Sequence, residues 1–403
     1  MSNYDAVLLT SFGGPEGPDE VMPYLERVTA GRGVPYERLV EVSHHYMAMG
    51  GVSPINAQNR ALLAAMREHF PARGLTMPIY WGNRNSEPFF ADVLKQMYAD
   101  GHRKILAFVT SAYSSYSGCR QYRENLGVAL EEAGLVGKLQ IDKVRHYFDH
   151  PGFVAPVAED LSAKLVGLYG KGLAPSEIAI MFATHSIPSS MGETSGPSDR
   201  RDEFKALAVE APAQYGEAAL LAAGKELPWN DTRASGGAYA AQHLAAARVI
   251  MGLVEVEAPD AASPKELPHW SLVYQSRSGA PTMPWLEPDI NDAIAVAAET
   301  GAKAIVVVPI GFVSDHVEVV WDLDNEAKET SEELGLAFER VATAGVAPEF
   351  VNGIADLVLE RESVETTGTA NRKALSPLGP WRDFCSADCC PNARRQLPVV
   401  AEL

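Results

Sequence analysis

The sequence predicts an α/β protein of two similar, doubly wound, Rossmann-like domains, each built on a four-stranded parallel sheet. Short runs of almost continuous hydrophobic residues recur along the chain, which is typical of parallel strands buried on both faces. The stretches between these runs are long enough for the crossover helices that parallel strands require. The runs form two groups of four, and 403 residues with 46% hydrophobic content suffice for two domains.

The order of these runs predicts the individual elements. The first four strands are expected at residues 4–10, 77–82, 104–111 and 139–147. The second four are expected at residues 177–184, 270–276, 303–310 and 337–343, with crossover helices at 54–70 and 289–300. We assign the N-terminal half to residues 1–150 and the C-terminal half to 151–345. Residues 346–403 are expected to form a helix and a cysteine-bearing tail that folds back on the N-terminal half, with a polar linker at 363–380.

Charge and composition restrict the partners. The chain has 34 basic and 52 acidic residues, a net charge of −18, which disfavours nucleic acid and anionic membranes as main partners. No apolar run reaches the length of a membrane span, and the N-terminal residues lack the pattern of a signal peptide. We therefore expect a cytoplasmic protein without integral membrane segments, and a monomer.

A histidine directly follows one of the predicted strands. His185 comes after residues 177–184, at the carboxyl end of the strand. Ligands of open parallel sheets bind beyond these carboxyl ends, so His185 is a candidate for chemistry. The alternative is a hydrogen-bonded histidine that only closes the strand.

A second strand end carries a histidine and a file of carboxylates. His316 and Glu318 follow the strand at 303–310, and Asp322 and Glu326 continue at intervals of four residues. Helical spacing places the three carboxylates on one face, where like charges repel by a few tenths of a kcal/mol. A solvated helix face is the alternative, but hard oxygen ligands leading to a histidine also suit a divalent cation.

The cysteines are concentrated in one place. Cys385, Cys389 and Cys390 lie within six residues of one another, and Cys119 is the only other cysteine. Four thiolates suit a tetrahedral zinc or a [2Fe–2S] cluster, and a reducing compartment favours metal over disulfides. Free thiols and structural zinc remain alternatives, although adjacent cysteines fit the usual zinc spacing poorly. If Cys119 is the fourth ligand, the tail must return to the first third of the chain.

Aromatic side chains also follow the predicted strands. Phe12, Tyr113, Tyr116 and Trp285 all lie beyond strand ends, where a flat apolar ligand could stack. The alternative for each of them is a place in the core. Gly13-Gly14 is not a dinucleotide-binding fingerprint, since Pro15 intervenes and no third glycine opens the next helix.

Five blocks of this sequence, in order, resemble the ferrochelatases. They are residues 8–15 (LLTSFGGP), 50–54 (GGVSP), 183–188 (ATHSIP), 274–276 (YQS) with 284–286 (PWL), and 308–318 (VPIGFVSDHVE). The resemblance covers residues 4 to about 360, and the cysteines resemble the ligands of the [2Fe–2S]-containing, soluble bacterial coproporphyrin ferrochelatases. Ala183 departs from the family, which more often has serine there. The resemblance implies a chelatase-like fold.

The resemblance also implies a reaction, the insertion of Fe²⁺ into a porphyrin with release of two protons. His185 would face the pyrrole nitrogens as metal ligand or proton acceptor, and Glu318 would oppose it. His316 would support that pair, and Asp322 and Glu326 would form an outer path for metal or protons. Which of His185 and Glu318 handles iron and which handles protons stays open.

The residues expected at the mouth of the cleft favour a substrate with four propionates. Residues 31–38 and 43–46 are polar and offer little to a bilayer, so we expect coproporphyrin III, giving coprohaem, with a downstream haem-accepting enzyme as partner. The expected porphyrin contacts are Phe12, Arg32, His45, Tyr46, Ser53, Tyr113 and Trp285. Alternatives are a protoporphyrin IX ferrochelatase, a cobalt chelatase, a non-catalytic haem or metal carrier, and an electron carrier.

Overall fold

The computed structural model describes residues 3–31, 33–256, 266–278 and 282–402. It contains two four-stranded parallel sheets, with strand orders β2-β1-β3-β4 and β6-β5-β7-β8. The strands are β1 Ala6–Ser11, β2 Ile79–Asn83, β3 Lys104–Val109, β4 Gln140–Lys143, β5 Ile178–His185, β6 His269–Gln275, β7 Ala304–Val308 and β8 Ala337–Arg340. All eight predicted strands are present, so the predicted fold class is confirmed.

The helices lie between the strands as crossover connections. They are α1 Pro18–Thr29, α2 Tyr36–Ala48, α3 Ile55–His69, α4 Phe90–Ala99, α5 Gln121–Ala133, α6 Pro151–Gly170, α7 Ser189–Glu193, α8 Arg201–Val209, α9 Glu217–Ala222, α10 Gly237–Leu253, α11 Ile290–Glu299, α12 Val317–Val319, α13 Lys328–Glu333 and α14 Pro348–Thr367. Two π-helical segments, Tyr116–Arg120 and Val320–Ala327, precede α5 and join α12 to α13. The predicted helices at 54–70 and 289–300 are α3 and α11, and both are confirmed.

The two sheets share one arrangement, which fixes where a ligand can bind. In each sheet the first strand, β1 or β5, pairs on one side with the second strand and on the other with the third. The chain therefore reverses its direction of winding beside β1 and β5, and this reversal opens a crevice at their carboxyl ends. The last residues in register there are Ser11 with Asn83, and His185 with Gln275.

The hydrophobic core is continuous between the halves. Its largest cluster contains Phe108 from the first sheet, Phe182 and Val306 from the second, and Phe350 from α14. Helices α6 and α14 pack against each other, and α10 packs on α6. No helix in the described residues is both long and apolar enough to cross a membrane. The domain boundaries at residues 150 and 345 stay predictions.

The C-terminal tail is anchored by buried polar contacts. Arg145, beyond β4, forms two hydrogen bonds to the carboxylate of Glu360 on α14 (2.7 and 3.1 Å) and one to the carbonyl oxygen of Lys373 (2.7 Å). The Ser376 hydroxyl donates to Asp149 (2.6 Å). The predicted linker at 363–380 begins too early, since α14 continues to Thr367. Gly368, with φ of 77°, ends that helix in the left-handed region that glycine tolerates.

Candidate active site

His185 is the last residue of β5, and its ring is held in one orientation. Its Nδ1 bonds the carbonyl oxygen of Ser186, and a carbonyl can only accept, so the ring proton lies on Nδ1. In the neutral ring the lone pair is therefore on Nε2. That atom lies 3.6 Å from Oε2 of Glu318. The strand end thus presents a ligand or proton acceptor to a carboxylate.

His316 and Glu318 reach the same point from β7. The short helix α12 carries Glu318, and Nδ1 of His316 lies 3.9 Å from Oε2 of Glu318. Burial lowers the pKa of His316 below its usual value, against the opposing effect of the Glu318 charge, so His316 is neutral at pH 7. The structure brings together the three residues that the sequence analysis placed at the centre of the site.

A glycine allows these two strand ends to approach. A β-carbon on Gly311 would lie only 2.1 Å from Oγ1 of Thr184. Any larger residue would therefore push the segment after β7 away from β5. Gly311 was part of the sequence resemblance, and this contact gives it a structural reason.

Asp322 and Glu326 lie on the π-helical segment Val320–Ala327. Asp322 accepts a short hydrogen bond from the Ser276 hydroxyl, and burial, with the charges of Glu318 and Glu326, raises the pKa of Asp322 to about 8. Glu326 is exposed and accepts a hydrogen bond from Nε1 of Trp321 (2.8 Å). The carboxylate file therefore runs from the His185 site toward solvent, on a wider helix than the sequence analysis assumed.

Two residues at the end of β6 support this file, and the sequence analysis did not assign them a role. Gln275 donates to the carbonyl oxygen of Glu318 (3.2 Å). Ser276 has φ of 61°, a left-handed conformation that a serine adopts at some cost, and this turns its hydroxyl to Asp322. Their position beside β5 at the carboxyl end of a strand was the available signal.

A buried polar network lies behind His185, and it was also missed. The Tyr239 hydroxyl on α10 donates to the carbonyl oxygen of His185 (2.8 Å) and lies 2.8 Å from Oγ1 of Thr184. Oγ1 of Thr184 also lies 3.0 Å from Nε2 of His243. Burial lowers the pKa of His243 to about 3, so this ring is neutral and accepts from Thr184. The network holds the backbone of His185 from the core side.

Helices α1 and α2 cover the opposite side of the cleft. Tyr46 is buried, and its pKa is raised by burial and by the charges of Glu318 and Asp322. His45 stacks on Trp321 with ring centroids 4.5 Å apart. The inner face of this lip is more apolar than predicted, because Tyr46 packs in a cluster with Val21, Tyr24, Leu25, Leu39 and Val317, with Phe12 beside it.

Three of the remaining predicted porphyrin contacts are buried side chains. Tyr113 is buried, stacks on His243 at 3.6 Å, and donates to the carbonyl oxygen of Ile310 (3.0 Å). Ser53 is buried against Gly14, and Trp285 is buried next to the Ile187 segment. Arg32 lies outside the described residues. Their contact with a porphyrin stays a prediction.

The four cysteines lie together, away from this cleft. All are buried and none forms a disulfide. The Cys385 thiol is within hydrogen-bonding reach of Cys119 and Cys389, and Sγ of Cys389 is 4.0 Å from Sγ of Cys390. The Gly196 N–H donates to the Cys390 sulfur (3.1 Å). Within the described ranges, no group of three or more His, Cys, Asp or Glu side chains has the arrangement of a metal-ion site.

Comparison with known proteins identifies the family. The ferrochelatase family profile matches residues 4–362. The chain is 50% identical over 404 residues to a protein from Leifsonia xyli subsp. xyli named coproporphyrin III ferrochelatase, covering 99% of this chain and 94% of that one. It is also 50% identical over 401 residues to a protein of the same name from Streptomyces griseus subsp. griseus, covering 99% and 96%.

Among solved structures, SirB from Bacillus subtilis with Fe³⁺ aligns with a TM-score of 0.46 and 10% identity, covering 91% of this chain and 99% of that one. The profile match and the two relatives span nearly the whole length of the chain. The His185–Glu318 cleft lies within the matched residues. The chain belongs to the ferrochelatase family.

Proposed function

We propose that this protein inserts Fe²⁺ into coproporphyrin III, giving coprohaem for haem biosynthesis. The observation that carries the proposal is the pair of His185 and Glu318 at 3.6 Å, at the strand-end crevice of a ferrochelatase chain. The reaction replaces two pyrrole N–H protons by one divalent metal. It therefore needs a metal ligand, a proton acceptor and a path by which two protons leave.

The site supplies each of these functions. Nε2 of His185 has a lone pair that can take a pyrrole proton or bind the incoming Fe²⁺, and Glu318 offers a carboxylate opposite it. Asp322, with a pKa of about 8, can accept and release a proton near neutral pH. Glu326 continues the file to the surface. His316 stays neutral and supports Glu318.

The relatives and the chemistry of the mouth support coproporphyrin as the substrate. Two proteins 50% identical to this chain are named coproporphyrin III ferrochelatases. Four propionates need polar partners at the rim, and His45 on α2, which stacks on Trp321, is a candidate for one of them. Phe12 and Tyr46 give the macrocycle an apolar wall. Arg32 and Ser53 remain proposed propionate contacts, and Tyr113 and Trp285 remain proposed ring contacts.

An anaerobic insertion assay tests the substrate. Purified protein is given Fe²⁺ with coproporphyrin III or protoporphyrin IX, and metalloporphyrin formation is followed by absorbance. We expect a higher kcat/KM for coproporphyrin III. A clear preference for protoporphyrin IX would overturn the substrate assignment, and failure to consume either porphyrin would favour a non-catalytic carrier.

We further propose that Cys119, Cys385, Cys389 and Cys390 hold a [2Fe–2S] cluster. Four buried thiols from two distant segments are the donor set of such a cluster, and the Gly196 N–H on Cys390 is the kind of hydrogen bond that cluster sulfurs receive. Two irons spread their ligands further apart than one ion does, which suits adjacent cysteines. The bound cluster would supply a covalent tie between the tail and the segment before α5. Iron and acid-labile sulfide analysis tests this, and zinc without sulfide would refute it.

We also propose a monomer of the cytoplasm that passes coprohaem to a downstream haem-accepting enzyme, and we expect no nucleic-acid partner, because the net charge of −18 disfavours one. Its domains would be residues 1–150 and 151–345, with 346–403 as the tail. Sedimentation analysis checks the monomer, since a dimer mass at micromolar concentration would contradict it.

A further inference from the structure

Two buried basic side chains lie near Cys119 in the fold or the sequence, and most of their N–H groups are unpaired. Lys143 is the last residue of β4 and 4% exposed, and its ammonium donates one hydrogen bond, to the carbonyl oxygen of Val144 (3.0 Å). Arg123 on α5 is 1% exposed. Its Nε donates to the carbonyl oxygen of Val400 (2.9 Å), but its two terminal nitrogens have no hydrogen-bond partner in the described part of the chain.

Carboxylates compensate these charges only in part. Nη2 of Arg123 lies 3.9 Å from Oε1 of Glu402, a longer approach than a hydrogen bond. Among the described residues, Lys143 forms no ion pair with a carboxylate, and the carbonyl oxygen of Val144 is its one hydrogen-bond acceptor there. A buried ammonium without a counter-charge is strongly unfavourable, so a fold that keeps one has an anion nearby in its working state.

Lys143 and one of the four cysteines, Cys119, line the same cavity. A cavity of about 10 Å³, room for about one water molecule, is lined by Cys119, Lys143 and His146 among others. Hydrogen bonds between the thiols have the largest effect on both residues, raising the pKa of Cys119 and lowering that of Cys385, and Lys143 is close enough for its charge to act on both thiols. His146 is neutral, because burial and the Lys143 charge lower its pKa to about 3. Lys143 is therefore the buried cation that acts on these thiols without a carboxylate partner among the described residues, and Arg123 follows Cys119 by four residues along the chain.

We propose that Lys143, with Arg123 beside it, is the counter-charge of the iron–sulfur cluster. The inference rests on the cluster proposed above. Two ferric ions, two bridging sulfides and four thiolates together would carry a net negative charge, and one added electron would increase it. The buried ammonium stabilises both forms and the reduced form more strongly, so it raises the midpoint potential of the cluster.

The test is a dithionite titration of the purified holoprotein, in which each cluster takes up one electron and no proton. The variants are Lys143→Met, which removes the charge, Lys143→Arg, which keeps it, and Lys138→Met, which removes an exposed lysine just before β4. We expect Lys143→Met to shift the one-electron equilibrium toward the oxidised form by at least about tenfold, which is 59 mV for a single electron. We expect Lys143→Arg to move it far less and Lys138→Met to leave it unchanged.

If Lys143→Met does not fold when all four cysteines are present, thermal unfolding of a protein that lacks the cluster gives a second test. In a Cys389→Ser protein the anion is absent, so adding Lys143→Met should raise Tm, whereas the same change should lower Tm in the holoprotein. A fall of Tm in both backgrounds would show that Lys143 has a packing role only.

The outcomes separate the two proposals. Wild-type protein without acid-labile sulfide would overturn the cluster, and this inference with it. If both wild type and Lys143→Met contain the full amounts of iron and sulfide and have the same midpoint potential, the role of Lys143 is overturned and the cluster is not.

Discussion

The cleft around His185 and Glu318 and the site around the four cysteines differ in how they meet solvent. The side chains of His185 and Glu318 are 32% and 46% exposed, and they are positioned by contacts made behind them. The cysteines are all buried, and the tail that carries them is held by ion pairs. The first site is therefore open to solvent, whereas the cysteine side chains are shielded from it. The difference agrees with our proposals that the first region reacts and that the second holds the tail in place.

The largest effect is expected on the tail side, at Arg145→Met. Arg145 and Glu360 are almost fully buried and bond at 2.7 Å, so removing one charge strands the other, at a cost of about 3–5 kcal/mol in the free energy of unfolding. Denaturant unfolding measures the loss, and the folded fraction should keep its KM. The exposed pair Arg38–Glu41 gives the control, since Arg38→Met should change stability by less than about 0.5 kcal/mol. Equal stability of Arg145→Met and wild type would contradict this reading of the tail.

For Glu318→Gln we expect a loss of activity with little loss of stability. The amide keeps the shape but loses the charge opposite His185, so kcat for iron insertion should fall by about 100-fold or more while Tm changes little. Glu333→Gln, on the exposed surface of α13, is the matched control and should match wild type. Glu318→Gln with wild-type kcat would remove Glu318 from the reaction.

Titration of Asp322 should make both the stability of the protein and its activity depend on pH. Burial raises the pKa of Asp322 to about 8, so the folded protein binds its proton more tightly than the unfolded chain does. The resulting stability is full below pH 4 and is lost as pH rises toward 8. Asp322→Asn should therefore gain several kcal/mol, at most about 6, over wild type at pH 8.5 relative to pH 4, as judged by unfolding.

The exposed Asp92→Asn variant, on α4, is the control for this comparison and should show no such gain. In wild type, insertion should accelerate as pH rises through 8, because the deprotonated Asp322 accepts protons. A flat pH profile that Asp322→Asn does not alter would contradict its place in the proton path.

The smallest effect is expected at Tyr239→Phe. It removes one hydrogen bond to the carbonyl oxygen of His185, worth about 0.5–1.5 kcal/mol, so kcat should fall by about two- to tenfold with the fold intact. Tyr98→Phe on α4, far from the cleft, should not change kcat. A change in Tm without a change in kcat would make Tyr239 a packing residue only.

The parts of the fold that could be predicted are those that short, local sequence patterns encode. Several of the strands are runs of apolar residues, and the runs that became β1, β5 and β7 are fully or almost fully buried. His185 was found because it directly follows such a run. Glu318 and His316 were found in the same way after β7.

The features that could not be predicted depend on contacts between residues that are far apart in the sequence. The π-helical segment Val320–Ala327 has no sequence pattern that separates it from an α-helix, since both keep residues four apart on one side. Tyr239 lies 54 residues from His185 on a helix that reads as apolar, so nothing local indicated its hydroxyl. The start of the predicted linker was helical, because Arg361 and Glu365 pair one turn apart on α14.

The most direct test of the account measures coprohaem formation and cluster absorbance together in two variants, His185→Ala and Cys385→Ser. We expect His185→Ala to keep its cluster absorbance and to lose iron insertion. We expect Cys385→Ser to lose the cluster and stability, while the protein that remains folded still inserts iron. Iron insertion at the wild-type rate by His185→Ala would contradict the account.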